Sequence, residues 1–181
     1  MITLQCINFS SDVEQRAKVS LKTIYKVCGI LCGRVLSDQW LNNISHQLPI
    51  TLGQSLFKRL LTLPITASDF QNDDPTMFES TVKYISNHNP KDLDLVFTEE
   101  IYNSKRKVVD TVPLHPSKEE VEVTNENKYE YLSALARYRM FEANKENTAA
   151  FIDGFYSVIP DEVAGLFSPL ELQMLCCSSQ E

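Results

Sequence analysis

The residues with the most evident chemical potential in this sequence are five cysteines, Cys6, Cys28, Cys32, Cys176 and Cys177. A cysteine thiolate is a strong nucleophile and a soft metal ligand, so each one is a candidate for thioester chemistry or metal binding. Their number is odd and no CxxC spacing occurs, a pattern typical of neither a disulfide framework nor a zinc site. This use of cysteine indicates a reducing compartment, the cytoplasm or the nucleus.

The three histidines, His46, His88 and His115, lie on predicted loops with no second ligand at helical or turn spacing. We therefore expect no metal site. The formal net charge of -7 argues against a nucleic-acid partner, which would need a positive field to meet phosphates. The most apolar run, 24–36, contains two basic residues and is shorter than the roughly 20 apolar residues of a membrane span.

Hydrophobic periodicity predicts a mainly helical chain. The first helix is expected over 12–37, where an apolar stripe lies beside a basic face that continues as Gly29 and Gly33. Two glycines at this spacing indicate a close approach of another backbone. A second helix is predicted over 49–63, and a third over 75–87, where Asp74 caps the helix and proline takes its first position.

The pattern changes to strands between residues 92 and 123. Alternation around 93–97, a second run at 107–114 and a short third one at 120–123 predict a small antiparallel sheet. The polar tip of its hairpin, with Lys105, Arg106 and Lys107, is expected in solvent. Helices are predicted over 125–141 and 146–158, and the capping box Ser168-Pro-Leu-Glu171 begins the last helix.

Seven stretches of the sequence are more specific than this order of elements. They are, in chain order, YKVCGILCGRVL from Tyr25, FKRLLTLPITASDF from Phe57, DP at Asp74 with Ser80, DLDLVF from Asp92, VTNENK from Val123, GF at Gly154 with VIP at Val158, and LFSPLEL from Leu166. Together, over about residues 20–177, they resemble the later part of the N-lobe of HECT-type ubiquitin ligase domains. The usual glycine-rich turn before the VTNENK stretch is replaced here by His115-Pro-Ser-Lys.

The resemblance implies an α+β fold, mainly helical and HECT N-lobe-like, with a small antiparallel sheet inserted between helices. The resemblance also implies subdomain boundaries at about residues 66 and 144. Residues 1–66 and 145–181 are expected to form a larger helical subdomain, and residues 67–144 a small subdomain that binds the ubiquitin-conjugating enzyme. Protein substrates would bind through regions outside this chain, and neither nucleic acid nor a membrane is an expected partner.

A HECT ligase transfers ubiquitin by thioester exchange through a cysteine thiolate. The resemblance implies that this cysteine lies in a C-lobe beyond Glu181, while Cys176 and Cys177 fall at the structural end of the N-lobe. Cys28 and Cys32 lie on the apolar stripe of their helix, where packing is the default role. We therefore expect this chain to bind rather than to transfer, with no metal, nucleotide or other cofactor.

The resemblance also implies a shallow apolar groove that accepts a loop of the conjugating enzyme. Its expected lining is Met77, Ser80, Thr81, Tyr84, Leu93, Tyr131 and Leu135. Tyrosine and methionine suit such a surface because they supply large contact areas. From pattern alone, these side chains could equally complete the hydrophobic core.

Two other interpretations stay open from the sequence. The chain could be a non-catalytic, HECT-like interaction scaffold that binds partners without transferring ubiquitin. It could also be part of a complete ligase that was only partly predicted as a gene. The sequence downstream separates these interpretations, since a C-lobe with a cysteine near its end favours a ligase.

Overall fold

A computed structural model of the chain describes residues 3–4, 19–103, 105–117 and 119–177. The chain divides into two compact units, one formed by Met1–Pro64 with Met140–Glu181 and the other by Ile65–Arg139. We call them the helical unit and the hairpin unit. The sequence-based divisions stand at 66 and 144, and the roles assigned to those segments stay predictions.

The helices and strands follow one another along the chain with short connections. They are β1 (Thr3–Leu4), α1 (Leu21–Asn42), β2 (Thr51–Leu52), α2 (Gln54–Leu60), α3 (Phe70–Asp73), α4 (Pro75–Met77), α5 (Lys83–Asn87), β3 (Thr98–Tyr102), β4 (Val108–Pro113), α6 (Lys128–Met140), α7 (Lys145–Tyr156), α8 (Asp161–Ala164) and α9 (Pro169–Cys176). β1 pairs in parallel with β2, and β3 pairs antiparallel with β4. The predicted α+β class with a small antiparallel sheet is therefore confirmed.

The longest helix, α1, begins at a serine cap and ends at a left-handed residue. The Ser20 side chain accepts a hydrogen bond from the backbone N–H of Thr23, and Asn43 closes the helix with a φ of 52°. The sequence predicted this helix over 12–37. Residues 12–18 lie outside the described residues, and the end prediction was five residues short because no breaker marks position 37.

The glycines of α1 bring it into backbone contact with α7. A Cβ on Gly29 would lie 2.0 Å from the carbonyl oxygen of Phe151, and one on Gly154 would lie 2.1 Å from that of Lys26. Gly33 is similarly close to Val158. The predicted close approach is therefore present, and α7 supplies the backbone that covers this glycine face.

The core of the helical unit is built from α1, α2, α7 and α9. Phe57, Phe151, Phe155 and Leu172 are fully enclosed in it. The capping box that begins α9 is present, since Ser168 and Glu171 each bond to the other's backbone N–H. The helix predicted over 49–63 is shorter than expected, because Thr51 and Leu52 pair with β1 and Gly53 then caps α2.

In the hairpin unit, the predicted helix over 75–87 is present but not uniform. Asp74 caps it as expected, and Pro75 takes its first position. Residues Phe78–Val82, between α4 and α5, are π-helical. Such segments are rare and often accompany functional sites.

The hairpin is also present, but its first strand begins later than predicted. Pro90–Leu93 forms a 3-10 turn, Asp94 is left-handed with a φ of 47°, and β3 starts at Thr98. The alternating stretch 93–97 instead pairs with the predicted third strand through one bridge, Val96 to Glu122. Among the helices of the described residues, none has both the length and the apolarity needed to cross a bilayer.

Candidate docking notch

A notch of about 350 Å³ opens on the hairpin unit beside β3. Seven residues of the segment 94–102 form one side of it, and Tyr131 and Arg139 of α6 form the other. Leu95 and Val96, both partly exposed, contribute apolar surface, while Asp94, Glu99 and Glu100 contribute carboxylates. A notch that combines apolar side chains with carboxylates can receive a partner's side chain.

Tyr131 is the aromatic residue that α6 contributes to the notch. Its ring meets that of Phe97 edge-on, with centroids 5.4 Å apart at 80°. Only 6 % of Tyr131 is exposed, and burial, with the nearby Glu99 carboxylate, raises the pKa of its hydroxyl. The hydroxyl is therefore protonated at neutral pH and can donate a hydrogen bond within the notch.

Arg139, on the same side of the notch as Tyr131, bonds to residues of two other elements. Arg139 Nε and Nη2 lie 2.7 Å and 2.5 Å from the same oxygen, Oε1 of Glu99, and Nη1 lies 3.2 Å from Met77 Sδ. This guanidinium thereby connects α6 to β3 and to α4. Burial raises the pKa of the Glu99 carboxyl, although the positive charge of Arg139 opposes the shift.

The VTNENK stretch is bonded to other parts of the hairpin unit. Lys128 Nζ donates to the backbone oxygen of Ser86 at 2.8 Å, which satisfies a carbonyl near the end of α5. Asn125 donates to the side chain of Asn89 at 3.1 Å. Asn127 accepts from the backbone of Thr124 and donates to that of Glu122, so it holds the turn that leads into α6. The most specific motif of the sequence thus braces this unit internally.

The seven residues predicted to line the groove are not all brought together. Tyr131 lines the notch, and Met77 contacts its Arg139. Ser80 and Tyr84 are exposed on the helical stretch 75–87, where Tyr84 stacks on His88 with ring centroids 4.1 Å apart. Thr81 and Leu93 are half-buried, and neither lines the notch.

Leu135 requires a correction. Only 1 % of it is exposed, so it packs in the interior and offers no contact area to a partner. Leu135 follows Tyr131 by one helical turn, so the two residues share a face of α6, but a shared face does not distinguish the lining of a notch from the core beneath it. Glu99 and Arg139 were missed, because two residues forty positions apart form no local pattern.

The described cysteines lie in the helical unit and are poor nucleophiles. Cys32 and Cys176 are fully buried, and burial raises the pKa of the Cys177 thiol to about 12. Burial also raises the pKa of Cys28. The enclosure of Cys32 and Cys176 and the raised pKa of Cys28 and Cys177 make these thiols poor nucleophiles toward a thioester. Cys6 lies outside the described residues, and within those residues no group of His, Cys, Asp or Glu could hold a metal ion.

Comparison with models of known protein families shows which family this chain belongs to. The family model described as "HECT-domain (ubiquitin-transferase)" matches residues 3–181. This chain belongs to the HECT-domain family. The resemblance drawn from the VTNENK and LFSPLEL stretches is therefore confirmed.

Individual HECT proteins are similar over most of the chain. It is 31 % identical over 157 residues, 86 % of its length, to human "Apoptosis-resistant E3 ubiquitin protein ligase 1". It is 32 % identical over 126 residues, 68 % of its length, to "E3 ubiquitin-protein ligase Nedd-4" of Drosophila melanogaster. To "E3 ubiquitin-protein ligase HACE1" of Danio rerio it is 27 % identical over 157 residues, 87 % of its length. The HECT chain spans 19 %, 12 % and 17 % of these relatives, respectively.

Proposed function

We propose that this chain is the part of a HECT-type ubiquitin-protein ligase that recruits the ubiquitin-conjugating enzyme. The conjugating enzyme would bring ubiquitin as a thioester, and the ligase would pass it to a substrate protein. Family membership supports the ligase context. The notch beside β3 is the single observation that carries the recruiting role, because it offers partly exposed apolar surface next to an aromatic ring.

The chemistry of the notch suits a protruding loop with an apolar tip. Leu95 and Val96 would contact that tip, and the Tyr131 hydroxyl would donate to a backbone carbonyl of the loop. The volume of about 350 Å³ is enough for one or two side chains and too small for a whole helix. Contacts outside the notch, such as the exposed Ser80 and Tyr84, would extend the surface.

We assign binding rather than transfer to the described residues. Transfer needs a thiolate, but Cys32, Cys176 and Cys177 are buried, Cys28 is partly buried, and the pKa is raised where a shift is resolved. Incubation of the chain with charged conjugating enzyme should therefore yield no ubiquitin adduct that a reducing agent removes. An adduct that disappears in Cys176→Ser or Cys177→Ser would contradict this assignment.

The recruiting role can be tested with two matched substitutions of valine by aspartate. Val96→Asp introduces a charge into the notch, whereas Val109→Asp introduces the same charge on β4, at a residue that is 59 % exposed and outside the notch lining. We expect Val96→Asp to weaken binding of a purified conjugating enzyme by about tenfold or more. Val109→Asp should leave the affinity within about twofold of the parent chain.

Calorimetry measures both affinities, and circular dichroism verifies that each variant stays folded. Equal affinities for the parent and Val96→Asp chains would exclude the notch as the recruiting surface. A parent chain that binds no member of a broad panel of conjugating enzymes would refute the recruiting role itself.

A further inference from the structure

The contacts of Arg139 cross the notch from one side to the other. From the last turn of α6, its guanidinium reaches Glu99 on β3 with two nitrogens and Met77 on α4 with the third. Three separate elements therefore meet at one side chain. A lysine could not make these contacts together, because its single ammonium group lacks the planar fork.

The strand on the far side of the notch has few other constraints. β3 pairs with β4, and no other described strand pairs with it, so the two form a two-stranded hairpin. Such a hairpin is only marginally stable by itself and needs packing against another element. The ring contact of Phe97 with Tyr131 holds the chain just before β3, and the ion pair of Glu99 with Arg139 holds β3 itself.

We expect the ion pair to contribute little to the stability of the fold. The Glu99 side chain is 14 % exposed, and burial raises its pKa in spite of the arginine beside it. Removing water from the carboxylate thus costs at least as much free energy as the attraction returns. A pair that does not stabilise the fold can still fix the relative position of the groups that it joins.

We infer that Arg139 is a positioning residue for partner docking, because its bonds to Glu99 and Met77 set the width of the notch between β3 and α6. This inference rests on the proposed recruiting function. The role belongs to the ion pair and not to one of its charges, because two nitrogens of the Arg139 guanidinium hold the same Glu99 oxygen. The conjugating enzyme would contact Tyr131, Leu95 and Val96, and Arg139 would act through them.

The test removes the pair in two ways. Glu99→Met removes the acceptor and leaves Arg139, which is 41 % exposed, to water, and Glu99→Met with Arg139→Gln removes both charges. We expect each variant to weaken binding of the conjugating enzyme about tenfold, while the urea midpoint stays the same or rises. The two losses should be nearly equal, because the same pair is broken in both.

The matched control changes the same kinds of group elsewhere in the hairpin unit. Asp110→Asn with Arg137→Gln alters β4 and α6 at two exposed residues that do not line the notch. Its affinity should equal that of the parent. If Arg139 contacted the partner directly, Glu99→Met would bind as tightly as the parent and only the double variant would lose affinity, which would overturn the inference.

Hydrogen exchange of the β3 amides measures positioning without a partner. The double variant should exchange these amides about tenfold faster, with the amides of α1 unchanged. Unchanged exchange in β3 would overturn the inference even if the parent binds the conjugating enzyme. Faster exchange in a chain that binds no conjugating enzyme would support the positioning by Arg139 and refute the recruiting function.

Discussion

The helical unit and the hairpin unit hold their elements together by different means. In the helical unit, glycines bring α1 and α7 into backbone contact, and the surrounding core is filled by aliphatic and aromatic side chains. In the hairpin unit, the elements around the notch are joined by Arg139, Lys128 and Asn127 through polar bonds. Close backbone packing allows no change in the distance between two helices. Bonds between polar side chains, in contrast, can join elements and still leave a notch between them.

The two units should therefore differ in which substitutions they tolerate without unfolding. A well-packed interior responds to a single added methylene, because its atoms have no free volume. A notch bounded by side-chain bonds can lose one of them and still keep its backbone. We therefore expect substitutions in the helical unit to act on stability, and substitutions around the notch to act on binding.

The largest effect should come from adding a side chain at the helix crossing. Gly29→Val would place its Cβ 2.0 Å from the Phe151 carbonyl oxygen, so α1 and α7 would have to separate. We expect a loss of more than about 4 kcal/mol in unfolding free energy, measured by urea denaturation. Gly165→Ala is the control, because its Cβ would meet its nearest atom at 3.4 Å. A chain that accepts Gly29→Val with little loss would contradict the comparison.

Leu135→Ala should produce the next largest effect and separates core from notch. Because Leu135 is only 1 % exposed, its truncation should leave a cavity and cost about 3 kcal/mol. Tyr129→Ala, on the same helix but 63 % exposed, should change the unfolding free energy by less than about 0.5 kcal/mol. Lost partner binding at unchanged stability in Leu135→Ala would restore this residue to the docking surface.

Helix caps should have smaller and similar effects in both units. Asp74→Ala removes the acceptor of the Met77 N–H, at 3.0 Å, in the hairpin unit. Ser168→Ala removes the acceptor of the Glu171 N–H, at 3.3 Å, in the helical unit. Each substitution should cost about 1 kcal/mol, read from the urea midpoint, and replacement by asparagine should restore most of the loss. A much larger loss in one unit would show that its cap has a further role.

The smallest effects should come from Glu171 and Glu99, whose contributions to folding stability should change with pH in opposite directions. Bonds from Ser168 lower the pKa of Glu171, so its stabilising contribution is present above its ordinary pKa of 4.5 and is lost as the pH falls through the lowered value. Burial raises the pKa of Glu99, so its contribution is complete below 4.5 and is lost as the pH rises through the raised value.

Thermal unfolding between pH 7 and pH 3 tests both signs. On acidification, the parent should gain stability relative to Glu99→Gln and lose stability relative to Glu171→Gln. If the stability difference from the parent changes with pH in the same way for both variants, the surroundings of these two carboxylates do not differ as described.

Local chemistry made much of the fold predictable. The caps at Asp74 and Ser168 act through their nearest neighbours in sequence, so their roles could be inferred from spacing. The spacing of the glycines in α1 indicated a close approach, but only the structure identified α7 as the partner. The boundaries of α2 and β3 could not, because the first depends on pairing with β1 and the second on the left-handed residue Asp94. The π-helical turn Phe78–Val82 likewise left no signal in the apolar pattern.

The sequence by itself determined the order of elements, the family and the candidate status of Tyr131, because these depend on residue types at short, fixed separations. Only the tertiary structure decided that Leu135 lies in the core and that Glu99 and Arg139 face each other. Exposure and the pairing of residues forty positions apart depend on how elements pack. Packing is a property of the whole unit, and no short stretch of sequence contains it.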